Sequence, residues 1–216
     1  MIKVYFCDVT NVNKANFEAL LGLLPSFLQS EVLAVRNDVD RKARLIARIM
    51  LLNSLQQTGE DYLLHSQKKN SHGKPFIEGW DFFNISHSGD YVVMAHGSTP
   101  LGIDIEKVKD IDVAAIDYLL HAEERNHIAQ AVNKTEAFYD IWVKKESFLK
   151  ATGQGLTGDF ADFNTAAKSI QLASDNWYFH HLNIAPDYEC YLCTPSVGVA
   201  YKILEFEQQM WSNLLR

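Results

Sequence analysis

No apolar run in this 216-residue chain approaches the roughly 20 residues that a membrane-spanning helix needs, so a membrane protein is not expected. The first nine residues, Met1–Val9, carry Asp8 too early for a secretory signal. Cysteine is scarce: three residues, which fits a reducing compartment, and a cytoplasmic protein is the expectation. Cys190 and Cys193 form a CxxC with no second pair nearby. They lie in a β-like run and read as strand residues rather than as metal or redox ligands. There is no basic excess either. Lys and Arg number 20 against 27 Asp and Glu, a net charge of −7, which makes non-specific nucleic-acid binding a poor fit. No residue-level repeat stands out. What is present is 47% apolar composition with 22% charge, enough for a sizeable core in one large domain or two small ones and too ordered a mixture for wholesale disorder.

Periodicity divides the chain into two runs of similar order. A strand over 2–9 leads to short helices over 13–24 and 26–36, with Pro25 between them, and then to a helix over 38–57. Leu45, Ile49, Leu52 and Leu55 line one face of that helix, and Arg41, Arg44 and Arg48 fall on a polar side. Residues 67–75 are polar and loop-like, and strands are expected over 82–86 and 91–96. A strand over 101–107 then leads to helical segments near 113–119, 122–131 and 134–151. Strand-like stretches follow at 160–164, 169–172, 177–184, 189–193 and 197–206. The expected fold is α+β, with two similar subdomains, residues 1–100 and 101–216, and a ligand site in the cleft between them.

Chemistry-bearing residues concentrate in two segments. In Leu101-Gly-Ile-Asp-Ile-Glu106, apolar and polar residues alternate, so Asp104 and Glu106 share a strand face about 6.6 Å apart. Two carboxylates so placed suit a hard divalent cation that also holds phosphate, although the exposed face of an edge strand would look the same. In Trp142-Val-Lys-Lys-Glu-Ser-Phe-Leu-Lys150, Trp142, Glu146 and Lys150 fall on one helical stripe beside an apolar surface. A plain surface ion pair between Glu146 and Lys150 is the competing reading. Ser86, His87 and Ser88 end a strand as a cluster of small polar groups suited to phosphate. Lys74 sits in Gly73-Lys-Pro75, either a solvated loop lysine or an anion contact. The basic helix face of Arg36, Arg41, Lys42 and Arg44 is the best local cluster for a terminal phosphate in a net acidic chain.

Taken together, these segments resemble the 4′-phosphopantetheinyl transferases of the surfactin-synthetase-activating type. That family carries Gly-Ile/Val-Asp-x-Glu, followed some forty residues later by Trp-x-x-Lys-Glu-(Ser/Ala)-x-x-Lys. Here Gly102–Glu106 precedes Trp142–Lys150, with Asp104 and Glu146 separated by 42 positions. Gly73-Lys-Pro75, Phe83-Asn-Ile-Ser-His-Ser88 and a trailing Gly153-Gln-Gly-Leu156 occur in family order. The resemblance covers about residues 36–160. It departs from the family where basic residues often precede the long first helix. Ser26–Glu31 has none, and Arg36, Arg41 and Arg44 are the candidates to replace them. Val143 stands where a Thr or Ser is common.

The resemblance implies two pseudo-symmetric α+β halves with coenzyme A between them. It also implies transfer of the phosphopantetheine arm to a serine of an apo acyl or peptidyl carrier protein, leaving adenosine 3′,5′-bisphosphate. Asp104, Glu106 and Glu146 are then the expected ligands of Mg²⁺, with Mn²⁺ as a substitute. Lys74, Ser86, His87, Lys150 and an arginine from among Arg36, Arg41 and Arg44 are the expected coenzyme A contacts. Asp104, Glu146 and Lys150 are the expected catalytic residues, with Glu146 taking the serine proton directly or through water. Glu124 resembles an accessory acid of some members. A monomer is expected, since both halves lie in one chain. The competing classes are a coenzyme A or nucleotide-binding module without transferase activity, and a Mg²⁺-dependent phosphohydrolase using the same acids.

Overall fold

Two long helices set the frame, and each is bounded by the same local chemistry. Asn37 Oδ1 accepts the Asp40 amide to start helix α3 (Asp38–Thr58), and Gly59 ends it at φ +74°. Asn133 Oδ1 accepts the Glu136 amide to start α5 (Lys134–Thr152), and Gly153 ends it at φ +70°. A side chain at the first position satisfies an otherwise orphaned amide, and glycine accepts the left-handed turn without a Cβ penalty. The computed structural model of the protein describes residues 1–153 and 160–215.

In the first half, β1 (Ile2–Asp8), α1 (Lys14–Leu21) and α2 (Ser26–Leu33) precede α3. The short strands β2 (Lys68–Lys69) and β3 (Pro75–Phe76), then β4 (Phe82–Ser88) and β5 (Tyr91–Gly97), follow it. In the second half, β6 (Gly102–Lys107), α4 (Ala122–Gln130) and α5 lead to β7 (Ser169–Leu172), β8 (Asp175–His181), β9 (Tyr188–Thr194), β10 (Tyr201–Glu205) and α6 (Gln208–Leu214). One sheet has the order β10-β1-β5-β4 and the other β6-β9-β8-β7, so β1-β5-β4 and β6-β9-β8 repeat one antiparallel arrangement. The fold is α+β with two similar halves. The last strand crosses back: β10 pairs parallel with β1, Tyr201 opposite Ile2.

Alternation along the strands builds four layers. Tyr5, Cys7, Val92 and Met94 pack against Leu45, Ile49 and Leu52 of α3. Ile2, Val4, Val93 and Ala95 meet Leu101, Ile103, Ile105 and Leu192 between the two sheets. Phe148 and Ala151 of α5 cover Trp177 and Cys193 on the outer face of the second sheet. Each fully buried aliphatic residue of this kind contributes about 1.5–3 kcal/mol of transfer free energy.

Four local expectations change. Residues 160–164 are not a strand. Phe160–Asp162 form a single 3₁₀ turn, after which the Thr165 amide and hydroxyl bond to Glu124 at 2.7 and 2.8 Å, committing this backbone to a buried carboxylate rather than to a ladder. The segment at 113–119 is two 3₁₀ turns rather than a helix. The loop at 67–75 contains a two-strand hairpin, Lys69 opposite Pro75. A C-terminal helix follows β10, with Trp211 buried against the first core. Gln154, Gly155 and Leu156 lie outside the described residues.

Candidate active site

The face of β6 opposite its apolar side chains lies under α5. Gly102 permits this contact, because a methyl there would stand 2.1 Å from the Ser147 carbonyl oxygen and 2.2 Å from the Ala151 nitrogen. Backbone therefore rests on backbone, and Asp104 and Glu106 point into the narrow space beside α5, where Glu146 and Lys150 are carried. Asp104 is only 1% exposed, so the open-edge-strand reading does not hold for it, while Glu106 is half-buried.

Lys150 Nζ donates to Asp104 Oδ1 at 2.6 Å and to Ser86 Oγ at 3.0 Å, and Ser86 Oγ donates to the same Asp104 oxygen at 2.7 Å. Lys150 thus reaches across to the other element instead of serving as a surface partner of Glu146. Ser88 Oγ donates to Glu106 Oε2 at 2.7 Å and accepts the Lys107 amide at 3.1 Å, while Asn84 Oδ1 accepts the Ile103 amide at 2.8 Å. Every second residue of β4 therefore holds the edge of β6, and the two sheets are joined through the site itself. The period-two run Asn84, Ser86, Ser88 was the signal in the sequence for this contact, and Asn84 is the member that the sequence reading missed.

The three carboxylates sense one another. Burial pushes the Glu146 carboxyl up to about 7, the charges of Asp104 and Glu106 push the same way, and Lys150 opposes them. Glu106 is also raised, by burial first, with Ser88 pulling down and Asp104 pushing up. Low local dielectric makes such repulsion costly, and a cation relieves it. Among the described residues, no group of three His, Cys, Asp or Glu side chains is already gathered as a metal cage. The Lys150 ammonium supplies positive charge on Asp104 Oδ1 instead. Asp104 Oδ2 is buried without a hydrogen-bond partner, an orphaned acceptor of the kind a hard cation satisfies. Asp104, Glu106 and Glu146, all oxygen donors, fit Mg²⁺ chemically.

The remaining expected contacts separate. A cavity of about 290 Å³ opens between the two halves, lined by Gly73, Lys74, Pro75, Glu146 and Lys150 among others. His87 projects from β4 on the side of α3. Its imidazole is held below the usual value, chiefly by desolvation, with Arg44 and Lys150 adding to the effect and Asp40 and Asp104 opposing it. Arg44 is therefore the arginine that the fold brings to His87. Arg41 turns instead to Asp38 at 2.7 Å and the Val35 carbonyl at 3.3 Å, over the ring of Phe17. Arg36 lies exposed ahead of α3. Lys74 reaches the cavity, but its Nζ donates to the Leu101 and Ala151 carbonyls at 3.1 and 3.2 Å. Glu124 is fully buried. It pairs with Lys145 at 2.9 Å, accepts the His121 amide at 2.8 Å and holds Thr165, which is the work of a structural anchor rather than of an open-site acid.

A family model for the 4′-phosphopantetheinyl transferase superfamily matches residues 100–193, and one for the N-terminal part of 4′-phosphopantetheinyl transferases matches residues 11–99. The chain belongs to the 4′-phosphopantetheinyl transferase superfamily. It is 33% identical over 165 residues to the 4′-phosphopantetheinyl transferase Sfp of Bacillus subtilis, covering 74% of this chain and 69% of that one. It is 30% identical over 163 residues to the transferase gsp of Aneurinibacillus migulanus, covering 72% and 68%. Over 216 aligned residues it is 28% identical to the transferase psf-1 of Bacillus pumilus, covering 94% and 88%.

Proposed function

We propose that the protein is an enzyme that transfers the 4′-phosphopantetheine arm of coenzyme A to a serine hydroxyl of an apo acyl or peptidyl carrier protein, with adenosine 3′,5′-bisphosphate as the other product. The serine oxygen forms a bond to the β-phosphorus, the pyrophosphate bridge breaks, and the serine proton leaves. The observation that carries this reading is the Ser86–Asp104–Lys150 cluster, which draws on both halves and lies beside an orphaned carboxylate oxygen.

Little covalent chemistry is asked of the protein, so positioning and charge neutralisation dominate. Lys150, Ser86 and His87 hold phosphate oxygens through hydrogen bonds, those from Lys150 being charge-assisted. Arg44, whose charge reaches His87, would take the terminal phosphate of the nucleotide. Glu146 accepts the serine proton, directly or through a water. Asp104, Glu106 and Glu146 would hold Mg²⁺, which supplies positive charge for the pyrophosphate oxygens when bound. The substrate cleft lies between subdomains meeting near residue 100, with β10 returning to the first sheet. A monomer suffices, since one chain supplies every side chain named. Among the described residues no helix is long and apolar enough to cross a membrane.

Intact mass of an apo carrier protein after incubation with coenzyme A, Mg²⁺ and the enzyme tests this. The expected result is a carrier heavier by one phosphopantetheine. Hydrolysis of coenzyme A without an adduct would instead indicate a phosphohydrolase, and binding without either product a coenzyme A-binding module.

A further inference from the structure

The hairpin at residues 68–76 belongs to the first half, yet two of its polar side chains, Asn70 and Lys74, end on the second. Asn70 organises the turn, its Oδ1 accepting the amides of His72 and Lys74, both at 2.9 Å, while Gly73 takes φ +84°. The other end of the same side chain, Nδ2, donates to the Gly153 carbonyl at 3.0 Å. Lys74 Nζ bridges the Ala151 and Leu101 carbonyls. Ala151 and Gly153 close α5, where the last carbonyls of a helix lack intrahelical partners and the helix dipole favours a cation. Leu101 is the residue that enters β6.

These three bonds fall at a mechanically decisive place. Ala151 follows Lys150 directly, Leu101 precedes Gly102, and Gly102 is where the α5 and β6 backbones touch. Lys74 therefore bridges the two elements whose side chains meet as Lys150 and Asp104. Two of the three protons on Lys74 Nζ are thus committed to backbone carbonyls.

We propose that Asn70 and Lys74 form a latch from the first half that fixes the end of α5 against the entry of β6, making Lys74 a positioning residue for Lys150 and Asp104 rather than a coenzyme A contact. The proposal rests on the transferase reading for its kinetic consequence, but not for its structural one. Burial also lowers the Lys74 amine to about 8, as expected of an ammonium held by neutral carbonyls rather than by carboxylates.

The experiment compares Lys74→Met and Asn70→Asp with the parent enzyme. Asn70→Asp keeps the acceptor that shapes the turn and replaces the donor to Gly153 with a carboxylate oxygen that repels that carbonyl, so it serves if Lys74→Met does not fold. Hydrogen exchange of the protein without coenzyme A should show faster exchange at the amides of 150–153 in both variants. At saturating coenzyme A, kcat for carrier labelling should fall by roughly 10- to 100-fold in Lys74→Met, the scale of a small misplacement of reacting groups, with KM for coenzyme A little changed. Unchanged exchange at 150–153 in the folded variants overturns the latch. So does a Lys74→Met enzyme that keeps its kcat and loses coenzyme A affinity. Failure of the transferase reading has a different signature, namely a parent enzyme that labels no carrier.

Discussion

The Lys150 ammonium lies 2.6 Å from Asp104 Oδ1, although 46 positions separate them in sequence. The contact joins the last turn of α5 to the middle of β6 and places a base and a buried acid at one point. Among the three neighbouring carboxylates, Lys150 neutralises one oxygen of Asp104, while Glu146 has a carboxyl pushed up to about 7.

Lys150→Ala leaves the Asp104 carboxylate buried with only Ser86 on that oxygen. Lys150 is itself 29% exposed in its side chain, so the loss is discounted for solvent and expected at about 1–3 kcal/mol. Denaturant unfolding without divalent metal measures it, and Mg²⁺ should recover part of the loss. Calorimetry should show weaker coenzyme A binding in the same variant. Unchanged binding would remove Lys150 from the phosphate contacts.

Glu146 gives the metal-free protein a pH signature. Its folded value, about 7, lies above the ordinary 4.5, so between these the folded state holds more proton than the unfolded chain. The stability associated with this group is fully present below about 4.5 and is lost as pH climbs through about 7. Glu146→Gln should flatten the unfolding free energy over that window by roughly 1–2 kcal/mol after solvent screening. Chemical denaturation of both proteins at several pH values checks this, and identical slopes would contradict the raised value.

Gly102→Ala should force α5 off β6, because its methyl meets backbone on both sides rather than a side chain that can move. Overpacking of this kind costs about 1–3 kcal/mol or more. Thermal unfolding should show the loss, and activity should fall with the displaced site.

The buried pair of Glu124 and Lys145 should behave as structure. Both side chains are 0% exposed, and removing one charge of a buried pair typically costs about 3–5 kcal/mol. Glu124→Gln is therefore expected to unfold at markedly lower denaturant. In the variant that remains folded at low temperature, coenzyme A affinity should match that of the parent.

The parts legible in the sequence were those fixed by local periodicity. Alternation at 101–106 gave the strand and which side chains share its face, and the helical stripe gave Glu146 and Lys150 a common side. Contacts that depend on where one half meets the other were not legible. The amine of Lys74 could not be assigned to two carbonyls, because Leu101 and Ala151 become neighbours only through the close approach at Gly102. The burial of Glu124 depends on Lys145 and Thr165, which nothing in the local pattern links to it. The pairing of β10 with β1 joins opposite ends of the chain. The polar run at 67–75 reads as a loop because Asn70 Nδ2 and Lys74 Nζ find backbone carbonyls of the other half, which carry no residue-type signal.

The central claim is that Asp104 anchors the charge-bearing centre of the site. Its most direct test is the single-turnover rate of carrier labelling by Asp104→Ala, with circular dichroism confirming the fold. The account predicts a folded variant slowed by at least about 100-fold, the scale seen when a preorganised charge contact is removed from an active site. A folded Asp104→Ala enzyme that labels its carrier at close to the parent rate would contradict it.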